Sequence, residues 1–308
     1  MKAISSHKPK VLVVLGTTSA GKTSLAVKLA AELGGEIISA DSRQVYKGMD
    51  IGTGKDLREY KVKGKKIKYH LIDIASPKQE FNLAKYQKLA FKTIKDVLDR
   101  KKLPIIVGGS GLYLQAIVDN FQLSSSKPDL KKRAELEKLS LEELLKRLQK
   151  LKPEFAARLN NSDSHNQRRL IRYLEIIEIN APEKTISTQP TYDFLLLGLN
   201  LPDDILKEKI ITRLNDRLEE GLVDEVKNLH KEGVSWERLL SFGLEYKFVS
   251  QYLKDELDYE VMVEKLSTAL YRFAKRQKTW FRRWEKQGRK INWIEDLKSA
   301  KEVINKWL

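Results

Sequence analysis

Three short stretches of this chain carry residue types suited to chemistry on a phosphate ester. The first is Gly16-Thr17-Thr18-Ser19-Ala20-Gly21-Lys22-Thr23, which fits the pattern G-x-x-x-x-G-K-[ST]. Gly16 and Gly21 let the backbone curl until successive N–H groups face one anion. A helix starting near Lys22 adds the positive end of its dipole. Lys22 supplies a point charge to the phosphates, and the Thr23 hydroxyl suits Mg2+. The second stretch is Asp41-Ser42-Arg43-Gln44-Val45-Tyr46. A carboxylate there can take a proton or polarise a nucleophile, or it can simply cap a turn. The third, Gly108-Gly109-Ser110-Gly111-Leu112-Tyr113, offers the Ser110 hydroxyl and several backbone N–H groups, or only a tight turn.

The loop names phosphate without naming which one. A nucleoside triphosphatase would follow with an apolar strand ending in a magnesium-holding aspartate, and Asp73 in His70-Leu71-Ile72-Asp73 is the nearest candidate. The strand at Ile105–Val107 runs instead into the second glycine cluster, which points to an unusual partner for the loop.

These stretches need strands to carry them. Val11–Leu15 is apolar, β-branched and stopped by Gly16, the pattern of a buried parallel strand. A helix is expected from Lys22 to about Leu33, closed by Gly34-Gly35. Ile37–Ala40, Tyr69–Ile74 and Pro104–Gly108 read as further strands, with helices over about Asn82–Lys101 and Leu112–Asn120. Such alternation predicts an α/β fold of the P-loop type, a doubly wound parallel sheet. Ligands then sit beyond the carboxyl ends of the strands, so Lys22 and Asp41 should face one crevice.

Ser124-Ser125-Ser126 and Pro128 mark a break, and a leucine-rich, charged helical pattern follows to about Ile179. It reads as a helical insertion, 124–189, in a core made of 1–123 and 190–308. Pro182–Pro190 is the most loop-like stretch. Tyr192–Leu201 is a strand that can rejoin the sheet, and everything beyond Pro202 looks helical. Ile210, Ile211, Leu214 and Leu218 form one apolar stripe, with Gly221 ending that helix. The last long helix, about Tyr259–Lys286, puts Leu266, Leu270, Phe273, Trp280, Phe281 and Trp284 on its core side.

The 308 residues suffice for one or two domains, and the net charge of +16 should attract a polyanion. The absence of cysteine excludes disulfides and thiolate zinc sites, and His7, His70, His165 and His230 lack metal-ligand spacing. No run approaches the ~20 apolar residues of a membrane span, so a soluble, cytoplasmic protein is expected. Arg272, Lys275, Arg276, Lys278, Arg282, Arg283, Lys286, Arg289 and Lys290 face a single acid, Glu285. That is a solvated helix face or a footprint for a phosphate backbone. Gln167-Arg168-Arg169 and Arg172 form a second basic spot, in which Arg172 is spaced to pair with Glu175.

Taken in order, the motifs resemble those of the bacterial-type tRNA dimethylallyltransferases, also called tRNA isopentenyltransferases. They are the phosphate loop, Asp41-Ser42-Arg43-Gln44-x-Tyr46, Gly48-Met49-Asp50-Ile51-Gly52-Thr53, His70-Leu71-Ile72-Asp73 and Val107–Tyr113. Arg213 and Arg217 before Glu220–Val226, and Ala274-Lys275-Arg276-Gln277-x-Thr279-Trp280-Phe281, agree. The resemblance spans about residues 10–284. It implies transfer of a dimethylallyl group from dimethylallyl diphosphate to the exocyclic amine of adenosine 37, beside the tRNA anticodon. Asp41 would be general base or hydrogen-bond acceptor, and Ser110, where the family usually has threonine, would help hold the amine. Ser42, Arg43 and Gln44 would contact the extruded base or its neighbours. Gly16–Thr23 and an arginine of the Arg213/Arg217 pair would hold the diphosphate with Mg2+. Gln167, Arg168, Arg169, Leu170 and Ile171 would touch the tRNA. A monomer is expected. This sequence departs from the family in the loop's Thr-Thr-Ser-Ala-Gly and in Leu244, which follows Gly243 where an aromatic is usual.

A nucleoside or nucleotide kinase, or another phosphate-loop triphosphatase, shares the loop and the fold. A non-enzymatic RNA-binding protein would have no need of Lys22, Thr23, Asp41 and Ser110 together.

Overall fold

In a computed structural model of the chain, residues 8–123, 129–178, 185–186 and 192–308 are described. The chain divides into two units, Met1–Val118 with Pro190–Leu308, and Asp119–Gln189. The serine run and Pro128 lie outside the described residues, as does most of Pro182–Pro190.

The first unit begins with β1 (Lys10–Gly16), α1 (Lys22–Leu33) and β2 (Glu36–Ser39). A 3-10 turn (Leu57–Tyr60) and a hairpin of β3 (Lys61–Val62) and β4 (Lys65–Lys66) lead to β5 (Tyr69–His70). Then come α2 (Leu83–Asp99), β6 (Pro104–Gly108) and α3 (Gly111–Val118). In the second unit β7 (Phe121–Gln122) pairs antiparallel with β8 (Thr185–Ile186). That pairing is why the second unit starts ahead of the serine run. Between them lie α4 (Leu130–Leu136), α5 (Leu141–Leu151), α6 (Pro153–Ala157), α7 (Asn161–Ser164) and α8 (Gln167–Glu178). The chain re-enters the first unit with β9 (Asp193–Leu199) and α9 (Asp203–Glu219). It continues through α10 (Leu222–Lys231), α11 (Trp236–Phe242), α12 (Leu244–Leu253) and α13 (Tyr259–Lys286). It ends with β10 (Asn292–Ile294) and α14 (Leu297–Trp307).

Six strands form one parallel sheet in the order β10-β9-β1-β6-β2-β5. Val11–Leu15 is fully buried because both faces of the sheet are covered: α1 and α14 pack on one, α2, α3 and the end of α13 on the other. Strand β9 pairs with β1 along its whole length, so the rejoining strand is real. A third cluster gathers Val45, Tyr46 and Met49 with α9 to α13. The second unit has its own core of Leu136, Leu144, Leu148, Leu170, Ile171 and Leu174.

Three expectations need correcting. Strand β5 stops at His70, because Leu71 (φ +62°) and Asp73 (φ +55°) are left-handed and break the ladder. Beyond Pro202 the chain is not wholly helical: β10 adds a strand through pairing with β9, too short for any periodicity to announce. In α9, Leu206, Ile210 and Leu214 are buried at four-residue spacing while Ile211, a third of a turn round, is exposed. Gly221 (φ +100°) ends α9 as expected, directly after its C-cap Glu220, and also serves as the N-cap of α10.

Candidate active site

The phosphate loop leaves β1 at Gly16 and turns into α1 through Ser19 (φ +59°) and Gly21 (φ +84°). Gly21 is the helix N-cap, and its positive φ suits a residue without Cβ. No side chain caps α1 and no acid sits in its first turn, so its leading N–H groups stay open to an anion. Lys22 folds back so that Nζ donates to the Thr17 carbonyl. Burial, then the nearby charge of Arg213, pulls the Lys22 ammonium from its ordinary 10.5 down to about 8, against a smaller opposing pull from Asp41.

Strands β2 and β6 are neighbours, with Ser39 opposite Val107, so the loops at their tips meet. Asp41 Oδ1 accepts the backbone N–H of Arg43 (2.9 Å) and of Gln44 (3.3 Å). The turn-capping role and a place on the cavity therefore coexist. Ser110 Oγ accepts the Ser42 N–H at 3.1 Å and lies 3.5 Å from Ser42 Oγ. Gln44 is pinned: its Oε1 accepts from Ser39 Oγ (3.1 Å), and its Nε2 donates to the carbonyls of Thr53 (3.4 Å) and Gly54 (3.3 Å).

These loops enclose one cavity. Thr18, Lys22, Thr23, Asp41, Arg43 and Gln44 line it, with Arg213 and Arg217 from α9. Tyr60, Val107 and Phe273 add apolar wall, and Gly108, Gly109 and Gln277 close it. Ser42 and Ser110 are not among the lining residues and instead bond each other beside Asp41. On the outer side of the loop Ser19, Gly21, Lys22, Thr23 and Arg213 border a second opening with Glu59 and Asp216.

The two arginines of α9 have different surroundings. Arg217 donates to Glu245 at 2.7 Å, and Arg43 reaches the other oxygen of the same carboxylate at 2.5 Å. Glu245 is 1% exposed. Burial alone would raise its pKa, but Arg43 and Arg217 outweigh it and hold the carboxyl below the usual range. Arg213 reaches only the Gly54 carbonyl, at 3.5 Å, and no carboxylate lies within ion-pair distance among the described residues. Burial and the adjacent Arg217 charge pull it down to about 10. Arg43, expected against the extruded base, is thus engaged with Glu245.

Other motifs turn out to hold the walls. Glu225 accepts the successive backbone N–H groups of Asp50 (2.7 Å), Ile51 (2.6 Å) and Gly52 (3.0 Å), and is fixed by Tyr246 Oη at 2.8 Å. The Gly48–Thr53 and Glu220–Val226 motifs therefore grip each other. Asp73, the candidate for a triphosphatase metal ligand, is paired with buried Lys55, which also holds Asp50 at 2.7 Å. The described residues contain no group of three or more metal-ligating side chains. What the site does offer is hard oxygen, the Thr23 hydroxyl with Asp41 on the same cavity, beside a phosphate cradle. That donor set fits Mg2+, which keeps water and substrate phosphate among its ligands.

In the second unit, Arg168 is exposed at the start of α8. Gln167 Nε2 donates to the Glu137 (3.1 Å) and Leu139 (3.0 Å) carbonyls, and Arg169 pairs with Asp163 at 2.5 Å. Leu170 and Ile171 are 0% and 3% exposed, because the helical period turns them into that unit's core. Their side chains are not available to RNA. Arg172 does pair with Glu175 (3.1 Å), though Arg133 binds the same carboxylate more closely, at 2.7 Å.

Sequence reasoning missed Glu245, Gln277, Tyr60 and Phe273. Gln277 had a legible signal. It is the one polar residue on the buried stripe Met262, Leu266, Leu270, Ala274, Phe281, Trp284 of α13. Phe273 and Trp280, expected in the core with that stripe, are only half-buried beside it.

Comparison with known proteins identifies the family. The family described as IPP transferase matches residues 44–284. The chain is 45% identical over 299 residues to tRNA dimethylallyltransferase 1 of Syntrophus aciditrophicus, covering 96% of this chain and 97% of that one. It is 47% identical over 296 residues to tRNA dimethylallyltransferase 2 of Treponema denticola, covering 94% and 97%. The crystal structure of a tRNA isopentenylpyrophosphate transferase from Bacillus halodurans superposes with a TM-score of 0.69 at 35% identity, covering 97% and 95%. A eukaryotic dimethylallyltransferase acting on tRNA gives a TM-score of 0.74 at 28% identity, over 88% of this chain and 69% of that one. With its phosphate cradle, its strand-tip carboxylate and these relatives, the chain belongs to the IPP transferase family.

Proposed function

We propose that this protein transfers the dimethylallyl group of dimethylallyl diphosphate to the exocyclic amine of adenosine 37 in tRNA, releasing diphosphate. The observation that carries the reading is that Lys22 and Asp41 line one cavity, so an anion cradle and a carboxylate open onto the same space.

The C1–O bond of the allylic diphosphate breaks as charge moves onto the phosphate oxygens. The open N–H groups of the phosphate loop and α1, with Lys22 and Arg213, meet that charge. Arg213 takes the part that Arg217 does not, since Arg217 is held against Glu245. The Thr23 hydroxyl would hold Mg2+, whose charge would further neutralise the diphosphate. The adenine amine is a weak nucleophile because its lone pair is delocalised into the ring. As N6 bonds to C1, the growing positive charge on nitrogen is offset by Asp41, which takes the proton. Ser110 supports Asp41 through Ser42. Reaching the base requires the anticodon stem-loop to give it up from its stack. The basic face of α13 and Arg168 hold phosphate backbone. The reading makes the protein a monomeric enzyme of the cytoplasm, and no helix among the described residues is long and apolar enough to cross a membrane.

The test is incubation with labelled dimethylallyl diphosphate and total tRNA, compared with Asp41→Asn. Label should enter tRNA with the unaltered enzyme. With Asp41→Asn the rate should fall by about 10³-fold while tRNA affinity is retained. Phosphoryl transfer from ATP, or affinity lost in parallel with rate, would overturn the reading.

A further inference from the structure

Gln277 projects from α13 between the two glycine loops and is 7% exposed. Its Oε1 accepts the Thr18 N–H at 2.8 Å, and its Nε2 donates to the Gly109 carbonyl at 2.8 Å. One primary amide thus ties the β1 loop to the β6 loop just past the end of their ladder, whose last pair is Leu15 with Gly108. The amide can sit only one way round. Flipped, it would set oxygen against the Gly109 carbonyl and N–H against the Thr18 N–H. Gly109 is shaped to this partner: a Cβ there would lie 2.4 Å from Gln277 Nε2.

We propose that Gln277 is a positioning residue that sets the spacing between the two loops, and so between the leaving diphosphate and the acceptor amine. This rests on the reaction proposed above. The phosphate loop carries the diphosphate. The β6 loop carries Ser110, which holds the Ser42 N–H beside Asp41. Each half of the reaction is anchored on a different loop, and a displacement needs C1 and N6 at near-attack distance. The strut also takes the Thr18 N–H for itself, so the cradle offered to the diphosphate begins at Ser19. A side chain without substrate chemistry of its own therefore governs the rate through geometry, and misplacement by about 1 Å is worth on the order of 10²-fold.

Gln277→Met keeps the length and volume of the side chain and removes both hydrogen bonds. Gln277→Glu keeps the acceptor for Thr18 and loses the donor to Gly109. Gly109→Ala leaves Gln277 in the chain and fills the place of its amide. For each variant, kcat and both KM values are measured with labelled dimethylallyl diphosphate and tRNA, alongside Tm. All three should lower kcat on the order of 10²-fold, with KM for both substrates close to that of the unaltered enzyme. Gln277→Met turning over as fast as the unaltered enzyme overturns the proposal. So does a rise in KM for the diphosphate with kcat intact, or a drop in Tm with kcat per folded molecule unchanged. If the unaltered enzyme itself labels no tRNA, the reaction reading has failed, a result distinct from these.

Discussion

Arg43 and Arg217 share the buried carboxylate of Glu245, whereas Lys22 and Arg213, on the same cavity, have no carboxylate of their own among the described residues. The consequences are opposite. Burial works against the charge of Arg43, but Glu245 and then Asp41 outweigh it and push its pKa up. Burial and like charge instead pull Lys22 to about 8 and Arg213 to about 10. The first pair shares one buried counterion, which leaves a net charge of +1 but ties both guanidinium groups to the wall. The second is charge held partly out of water with no carboxylate in ion-pair contact among the described residues, a place that an arriving diphosphate would fill. Residue type does not separate the two pairs; the nearest carboxylate does.

Glu245→Gln probes the wall. It leaves one buried and one half-buried guanidinium group facing a neutral amide, and should lower stability by about 3–5 kcal/mol in urea unfolding. A loss below about 1 kcal/mol would place Glu245 with the ordinary exposed ion pairs. Arg213→Gln probes the other side. It should reduce kcat/KM for dimethylallyl diphosphate by about 10²–10³-fold, with the urea midpoint held or raised, since a poorly solvated cation has gone. Equal losses for Arg213→Gln and Arg217→Gln in activity and in stability would dissolve the distinction. The smallest effect concerns pH. The free enzyme loses the Lys22 proton as pH rises through about 8. Bound diphosphate favours the ammonium, so binding above that pH takes up a proton. Affinity should fall about tenfold by one pH unit above the pKa. Lys22→Arg, which stays charged, should flatten that dependence in calorimetric titrations.

Much of this was legible in the chain. The phosphate loop announced itself because strand, glycine turn and helix follow one another within a few residues, and the fully buried run Val11–Leu15 confirms its strand. The position of Asp41 at the tip of β2 followed from the same local logic. The roles of the late motifs did not. Glu225 meets Asp50, Ile51 and Gly52, Lys55 meets Asp73, and Glu245 meets Arg43, all across turns and helices that no local period encodes. Leu170 and Ile171 keep their side chains in the core of the second unit for the converse reason: their helical phase is local and readable.

By itself the sequence determined the chemistry available: an anion cradle, a carboxylate and hydroxyls at strand ends, with a basic surplus for a polyanion. Propensity and periodicity act over a few residues, and they suffice for that. Only the tertiary structure decided which cations lie against Glu245 and which have no carboxylate beside them, that Gln277 ties two loops, and that β10 is a strand. Each depends on what lies opposite in space, where burial makes a charge or an amide depend on its partner.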